Sequence, residues 1–245
     1  MALRTRTRVE GEAVSSLIVS GIVKEQFDKA SPKRPPRKPK LAESARLRVH
    51  ADPLEKDGFL EFSQLRSRHY HGDDLSGLQV SKVLFSGGMF LGCELDGASF
   101  EDTIFEGCDF SNSSLISTGF IRCEFRNCKM IGASFMESLF DEVSIMGSNL
   151  SMSSFSRSRW KNVACSCSDL PSTDMSEMQL AQVSFLECNL MNATLFRTSL
   201  MGIDLTGSRI DGVVVSDSMD EVKGSKMDLY QAAEFVRKLG VLLSD

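Results

Sequence analysis

The chain has 245 residues, 42% hydrophobic and 25% charged, with 28 Lys and Arg against 33 Asp and Glu. That balance excludes wholesale disorder, and no apolar run reaches the ~18 residues of a membrane helix. Three His, one Trp and two Tyr leave little material for a catalytic centre, so an enzyme is not expected. Charge is split along the chain: residues 1–70 carry +6, 71–215 carry −9 and 216–245 carry −2. A basic leader precedes an acidic body.

The opening residues, MALRTRTRVEGEAV, lead to no signal-peptide core with a cleavage site, so the expected location is the cytoplasm. Residues 1–57 read as the leader. Val14, Leu17, Ile18, Ile22 and Val23 predict a short amphipathic helix within 10–29. The stretch SPKRPPRKPK (31–40) holds four Pro and five basic residues and reads as an extended, solvated spacer, largely disordered with the rest of the leader. Its Lys33-x-x-Pro36-x-x-Pro39 spacing loosely fits a proline-rich recognition ligand, and it could equally meet nucleic acid or an acidic surface. Residues 58–74 read as an entry strand and first cap. Leu60, Leu65 and Tyr70 keep the beat described next, while Gly58, Ser63 and Arg68 fit it poorly. His69 and His71, beside Asp73 and Asp74, share a strand face, but no third metal ligand is indicated and a polar entry turn is expected.

From Leu75 to Ile210 every fifth residue is apolar, 28 times without insertion or deletion. The residue two before each is mostly small or apolar, as at Cys93, Ala98, Thr103, Cys108 and Ser113. A period of five fits neither a helix nor a flat strand. It needs a backbone that turns and brings one side chain inward every five residues, as a solenoid does. The A-[DN]-[LF]-x-x pattern, in units such as CDFSN (108–112), SNLSM (148–152) and CNLMN (188–192), resembles the pentapeptide-repeat family over 75–215. The resemblance implies an all-β solenoid, a right-handed quadrilateral β-helix with four pentamers per coil, expected here over 58–224.

The charges test a 20-residue coil independently. Asp102 and Arg122, Glu106 and Arg126, Asp109 and Lys129, Glu137 and Arg157, Asp141 and Lys161, and Glu177 and Arg197 are each 20 apart. Lys82 also lies 20 before Asp102. All are expected as ladder pairs between coils stacked ~4.8 Å apart. Two interior columns follow, one from Val80 through Phe100, Phe120, Phe140 and Trp160, another from Phe85 through Phe105, Phe125 and Ile145. Six of the seven Cys fall on inward positions and read as reduced structural thiols, leaving Cys167 off register. No cofactor or metal is expected, and there is no nucleophile elbow, phosphate loop or HExxH.

After Val215 the beat loosens, and residues 225–245 read as a capping or dimerisation helix. DLYQAAEFVRKLG (228–240) places Leu229, Ala232, Ala233, Val236 and Leu239 on one face. Asp228 and Gln231 fit a capping box, and Gly240 a helix end. That face covers the last coil, pairs with a second chain, or both. It resembles the C-terminal ends of topoisomerase-binding family members, which implies a homodimer seam.

Six acids and no base run from Glu94 to Asp109: Glu94, Asp96, Glu101, Asp102, Glu106 and Asp109. They are expected as an acidic collar that binds a protein partner, and the acidic body is not expected to bind nucleic acid directly. Family members that bind DNA gyrase are described as mimics of duplex DNA, so the resemblance implies a type II topoisomerase as an alternative partner, with fluoroquinolone protection. Seven coils would span roughly 34 Å, where duplex DNA carries about 20 charges. A body with a net charge of −9 is a half-strength mimic at best. An interaction rod of unassigned partner therefore ranks first.

Overall fold

The structure is a computed structural model, and it describes residues 34–40, 48–49 and 58–242. The expected helix within 10–29 lies outside the described residues. Residues 58–215 wind into a right-handed four-sided β-helix whose coils repeat every 20 residues. Phe100 aligns with Phe120, Phe120 with Phe140, and Phe140 with Trp160, all parallel. Two faces are true sheet. One carries Phe59–Glu61, Gln79–Ser81, Ser99–Glu101, Gly119–Ile121 and Leu139–Asp141; the other carries Ser63–Arg66, Leu84–Ser86, Ile104–Glu106, Glu124–Arg126 and Ser144–Met146. The strands Arg159–Ser166 and Gln179–Leu186 run through the corner and join both faces into one 13-stranded sheet. The other two faces are held mostly by single parallel bridges, such as Asp109 to Lys129 and Ser114 to Ser134.

The five-residue period has a backbone cause. Every fifth residue from Phe62 to Gly212 has positive φ, one left-handed residue closing each pentamer. Such a residue turns the chain by about a quarter of a coil, so the apolar residue two before it always points inward. Only Gly, and to a lesser extent Asn, takes this conformation freely; other residues are disfavoured by roughly 1–2 kcal/mol. The beat residues are buried from Val80 to Ile210, except that Leu180 is only partly so. Leu60, Leu65 and Tyr70 are buried too, and Ser63, two before Leu65, is fully enclosed.

Stacked rings fill the earlier coils. Phe85 lies 5.2 Å from Phe105, Phe105 4.9 Å from Phe125, and Phe90 4.8 Å from Phe110, each pair near parallel. Neighbouring faces meet edge to face, as at Phe100 and Phe105, 5.2 Å apart at 73°. Such pairs add about 0.5–1.5 kcal/mol beyond burial. The small position two before each ring has its own reason. Thr118 Oγ1 donates to the Leu95 carbonyl at 3.0 Å and Ser138 Oγ to the Leu115 carbonyl at 2.7 Å, so these hydroxyls bond one coil to the last.

The far end is covered and, among the described residues, the first coil is covered at one strand. Arg48–Val49 adds a parallel strand to the first coil, opposite Ser63 and Gln64. At the far end come a 3-10 turn, Asp220–Val222, and the helix α1, Leu229–Lys238. The predicted capping box is present: the Gln231 amide donates to Asp228 Oδ1 and the Asp228 amide to Gln231 Oε1, both at 2.9 Å. The seated face is not the predicted stripe. Gln231 and Phe235 are buried; Ala232, Ala233 and Val236 are half-buried; Leu229 and Leu239 stand out at 81% and 65% exposure. The reason is polar. The last coil presents open carbonyls, and Gln231 Nε2 reaches Leu205 O at 2.8 Å and Ser208 O at 2.7 Å. A polar residue therefore leads the docking face. Glu221 does the complementary work beside it, accepting from the Arg197 amide at 2.9 Å and from Ser216 Oγ at 2.8 Å.

Candidate interaction surface

The interior is filled by side chains, so what the rod presents is its outside. Cys93, Cys108, Cys123, Cys128, Cys165 and Cys188 are buried and unbridged, and Cys167 is exposed. Burial pushes the Cys123 thiol up to about 12, beyond easy ionisation. Its Sγ donates to the Phe100 carbonyl at 3.3 Å, the role Ser and Thr take elsewhere. His69 and His71 are exposed on either side of buried Tyr70, and Asp73 is engaged by the His71 amide at 2.9 Å. No group of three or more His, Cys, Asp or Glu is placed to hold a metal among the described residues.

The six acids of the predicted collar are not equally displayed. Glu94, Glu101 and Glu106 are exposed. Asp96 accepts from the Ile116 amide at 2.9 Å, and Asp109 from the Ser111 amide at 3.0 Å, so both serve turns of the backbone. Asp102 is buried against Arg122, whose Nε lies 2.8 Å away, and Arg122 also meets Glu101. Among the described residues, the exposed acids of this stretch with no ion-pair partner are Glu94 and Glu106.

Four of the six predicted ladder pairs form: Asp102 with Arg122, Glu137 with Arg157 at 3.0 Å, Asp141 with Lys161 at 3.1 Å, and Glu177 with Arg197 at 3.3 Å. Arg126 turns instead to Glu124 on its own coil. Lys82 pairs with Glu61 at 3.0 Å, not with Asp102. Asp109 and Lys129 share a backbone bridge, while the carboxylate serves Ser111. For the two pairs that do not form, Arg126 is taken by a carboxylate of its own coil and Asp109 Oδ1 by the Ser111 amide and hydroxyl.

The left-handed residues form four vertical columns, one at each corner. At three corners they are exposed throughout, and many are Gly or Asn. The fourth corner joins the two sheet faces. Its column reads Phe62, Lys82, Asp102, Arg122, Glu142, Asn162 and Gln182 before a glycine, Gly202, appears. Here Asp102, Glu142 and Asn162 are buried.

What lies on this corner is the basic leader: residues 34–40 remain largely exposed, as expected of a solvated spacer, but two of their amides dock on the rod. The Arg37 amide donates to Glu142 Oε2 at 2.7 Å, and the Lys40 amide to Asp102 Oδ1 at 3.0 Å. Arg34 and Arg37 place guanidinium nitrogens 3.1 Å from Glu142 Oε1. Asn162 Nδ2 completes the shell of Glu142 at 2.6 Å. Burial pushes both carboxyls up, but these donors outweigh it: the Arg37 and Asn162 amides hold Glu142, and Arg122 with the Lys40 amide holds Asp102, below the usual carboxylate range. The sequence marked the leader as basic and proline-rich. A partial signal was a corner column without glycine from Phe62 to Gln182.

A family model described as the pentapeptide repeat region matches residues 78–155 and 118–195. Among solved structures, the chain is similar to a trypsin-treated variant of QnrB1, a plasmid-mediated fluoroquinolone resistance protein, with 22% identity and a TM-score of 0.47 over 80% of this chain and 97% of that one. It is similar to HetL, a pentapeptide repeat protein involved in heterocyst differentiation regulation in the cyanobacterium Nostoc, with 15% identity and a TM-score of 0.36 over 69% and 86%. A pentapeptide repeat protein of the Arabidopsis thaliana thylakoid lumen matches with 25% identity and a TM-score of 0.30 over 41% and 67%. A comparison with curated protein sequences finds no match. Through the repeat body that carries its five-residue beat and left-handed corners, the chain belongs to the pentapeptide-repeat family.

Proposed function

We propose that the protein is a non-enzymatic interaction rod, presenting flat, polar outer faces to a protein partner in the cytoplasm. The observation that supports this most is the division of the chain between inside and outside. Beat residues fill the interior from Val80 to Ile210, and the charged side chains stand outward except at Asp102, Glu124, Glu142 and Glu221. A rod of this kind suits docking more than turnover, since binding sites on folds are made by the groups they display. No helix among the described residues is long and apolar enough to cross a membrane. The test is photo-crosslinking in cells, from single positions on each of the four faces. A discrete protein adduct from one face and none from its opposite is expected; no adduct from any face overturns the reading.

A second reading, a DNA-like binder of a type II topoisomerase, is favoured by exposed Glu94, Glu101 and Glu106. QnrB1, named for fluoroquinolone resistance, shares the architecture. It requires inhibition of supercoiling, or protection from a fluoroquinolone, that falls with salt and with Glu94→Lys and Glu106→Lys. The dimer seam also belongs here. Leu229, Tyr230, Leu239 and Leu242 are exposed on or beside α1 and could face a second copy. Sedimentation of the full chain, with and without Leu239→Glu, decides it.

A further inference from the structure

The corner between the two sheet faces already holds a peptide, residues 34–40 of the same chain. Pro36 and Pro39 are the half-buried residues of that segment, three apart, while the other five are exposed. Arg37 and Lys40, each following one of these prolines, turn their amides to Glu142 and Asp102. The spacing has a geometric basis. A polyproline-type strand repeats every three residues and rises ~3.1 Å per residue, so equivalent amides are ~9.3 Å apart. Asp102 and Glu142 sit two coils apart, and two coils at ~4.8 Å make ~9.6 Å. One turn of the peptide thus spans two coils of the rod in register. Arg122, on the coil between, binds Asp102 and Glu101 and offers the peptide no competing carboxylate.

We propose that this corner is a recognition site for a cationic, polyproline-type peptide, and that residues 34–40 are its resident ligand. The site reads three features. Two carboxylates take backbone amides one peptide turn apart, so a proline cannot stand at either amide. Prolines stand just before those amides, where the ring faces the rod and no donor is lost. Basic side chains at the first end, here Arg34 and Arg37, meet Glu142. A peptide with this spacing on another protein competes for the same carboxylates. Nucleic acid does not fit, because the rod offers acceptors with negative charge. The inference stands on the leader's own contacts and does not depend on the rod having a partner.

The test uses the full chain carrying Arg34→Ala, Arg37→Ala and Lys40→Pro, which vacates the corner without touching the core. The probe is a fluorescently labelled peptide of residues 31–42, followed by anisotropy. The vacated chain should bind the peptide at least tenfold more tightly than the unaltered chain does. A Lys40→Pro peptide, which loses the amide, should bind it at least tenfold more weakly, whereas a Lys40→Ala peptide, which keeps the amide, should bind nearly as well. Glu142→Gln in the vacated chain should also weaken binding at least tenfold. No saturable binding to the vacated chain, equal binding to both chains, or equal binding of the proline and alanine peptides would each overturn the proposal.

Discussion

At three corners of the rod the left-handed residue is exposed and often Gly or Asn; at the fourth it is Asp102, Arg122, Glu142 or Asn162, held under or beside the leader. The backbone conformation is the same at all four. The turn therefore fixes φ, and the side chain at that position is left free for something else. At two of the three it is mostly Gly or Asn, which makes the turn cheap; at the third, Glu137, Arg157, Glu177 and Arg197 pair in the open between coils. At the fourth, residues that disfavour this conformation by roughly 1–2 kcal/mol stand in consecutive coils. That cost is offset by buried hydrogen bonds and ion pairs that only this corner makes, which marks it as a place where contact, and not turning, dictates the residue.

The sharpest way to break this contrast is to remove one arginine from each kind of corner. Arg122→Ala leaves Asp102 buried without its cation, and we expect a loss of about 3 kcal/mol in denaturant unfolding. Arg157→Ala opens the exposed pair with Glu137 and should cost under about 0.5 kcal/mol. Equal losses would remove the distinction between the corners. Next come the glycines. Gly97→Ala puts a Cβ into open space at φ +66°, so only the conformational cost of about 1 kcal/mol applies. Gly147→Ala would place that Cβ 2.6 Å from Asn127 Oδ1, so it should cost visibly more than Gly97→Ala. A smaller cost at Gly147 would show that the Asn side chains are not held at these corners.

Acid should release the leader and spare the other corners. Glu142 and Asp102 are held below their ordinary values of 4.5 and 3.8 when the leader is docked. A depressed carboxyl contributes stability that is complete above its ordinary value and is lost as pH falls through the depressed one. The charged groups that face this pair are Arg34, Arg37 and Lys40 from the leader, and Arg122 with Glu101 from the rod. Docking, followed by a fluorophore placed in the leader, should be constant from pH 7 to about 5 and decline below about 4. Release on raising pH through 7 would contradict this sign. The smallest effect is chemical: a thiol reagent should modify exposed Cys167 rapidly and the six buried Cys only on unfolding. Two or more fast thiols in the native chain would mean that the rod opens locally.

The regular part of this fold was open to reading because one side chain in five must be apolar, and 28 successive matches fix both the coil and its register. Charges 20 apart confirmed the register, yet charge alone could not say which carboxylate was free. Asp96, Asp102 and Asp109 look like Glu94 in the sequence, but short Asp side chains fold back onto neighbouring amides or lie in a corner, while Glu94 and Glu106 reach water. The helix face divides between rod and solvent for a related reason. Hydrophobic spacing favoured Leu229 and Leu239, whereas the last coil presents carbonyls that Gln231 must satisfy. The leader's dock depends on contacts more than sixty residues apart in sequence, from Lys40 to Asp102 and from Arg37 to Glu142. Glycine is missing from this column between Phe62 and Gln182, but also from an exposed column between Ser117 and Arg197, so that pattern alone does not carry the information.

Amide hydrogen exchange of the full chain, resolved residue by residue across 34–40, tests the central claim most directly. A free polyproline-type segment has no internal hydrogen bonds, so its amides exchange at peptide rates. The docked leader should instead show protection at Arg37 and Lys40 of at least about tenfold, lost with Glu142→Gln and Asp102→Asn respectively, while Lys38 exchanges as a free peptide would. Uniform, unprotected exchange at all three amides would mean that the leader does not occupy the corner.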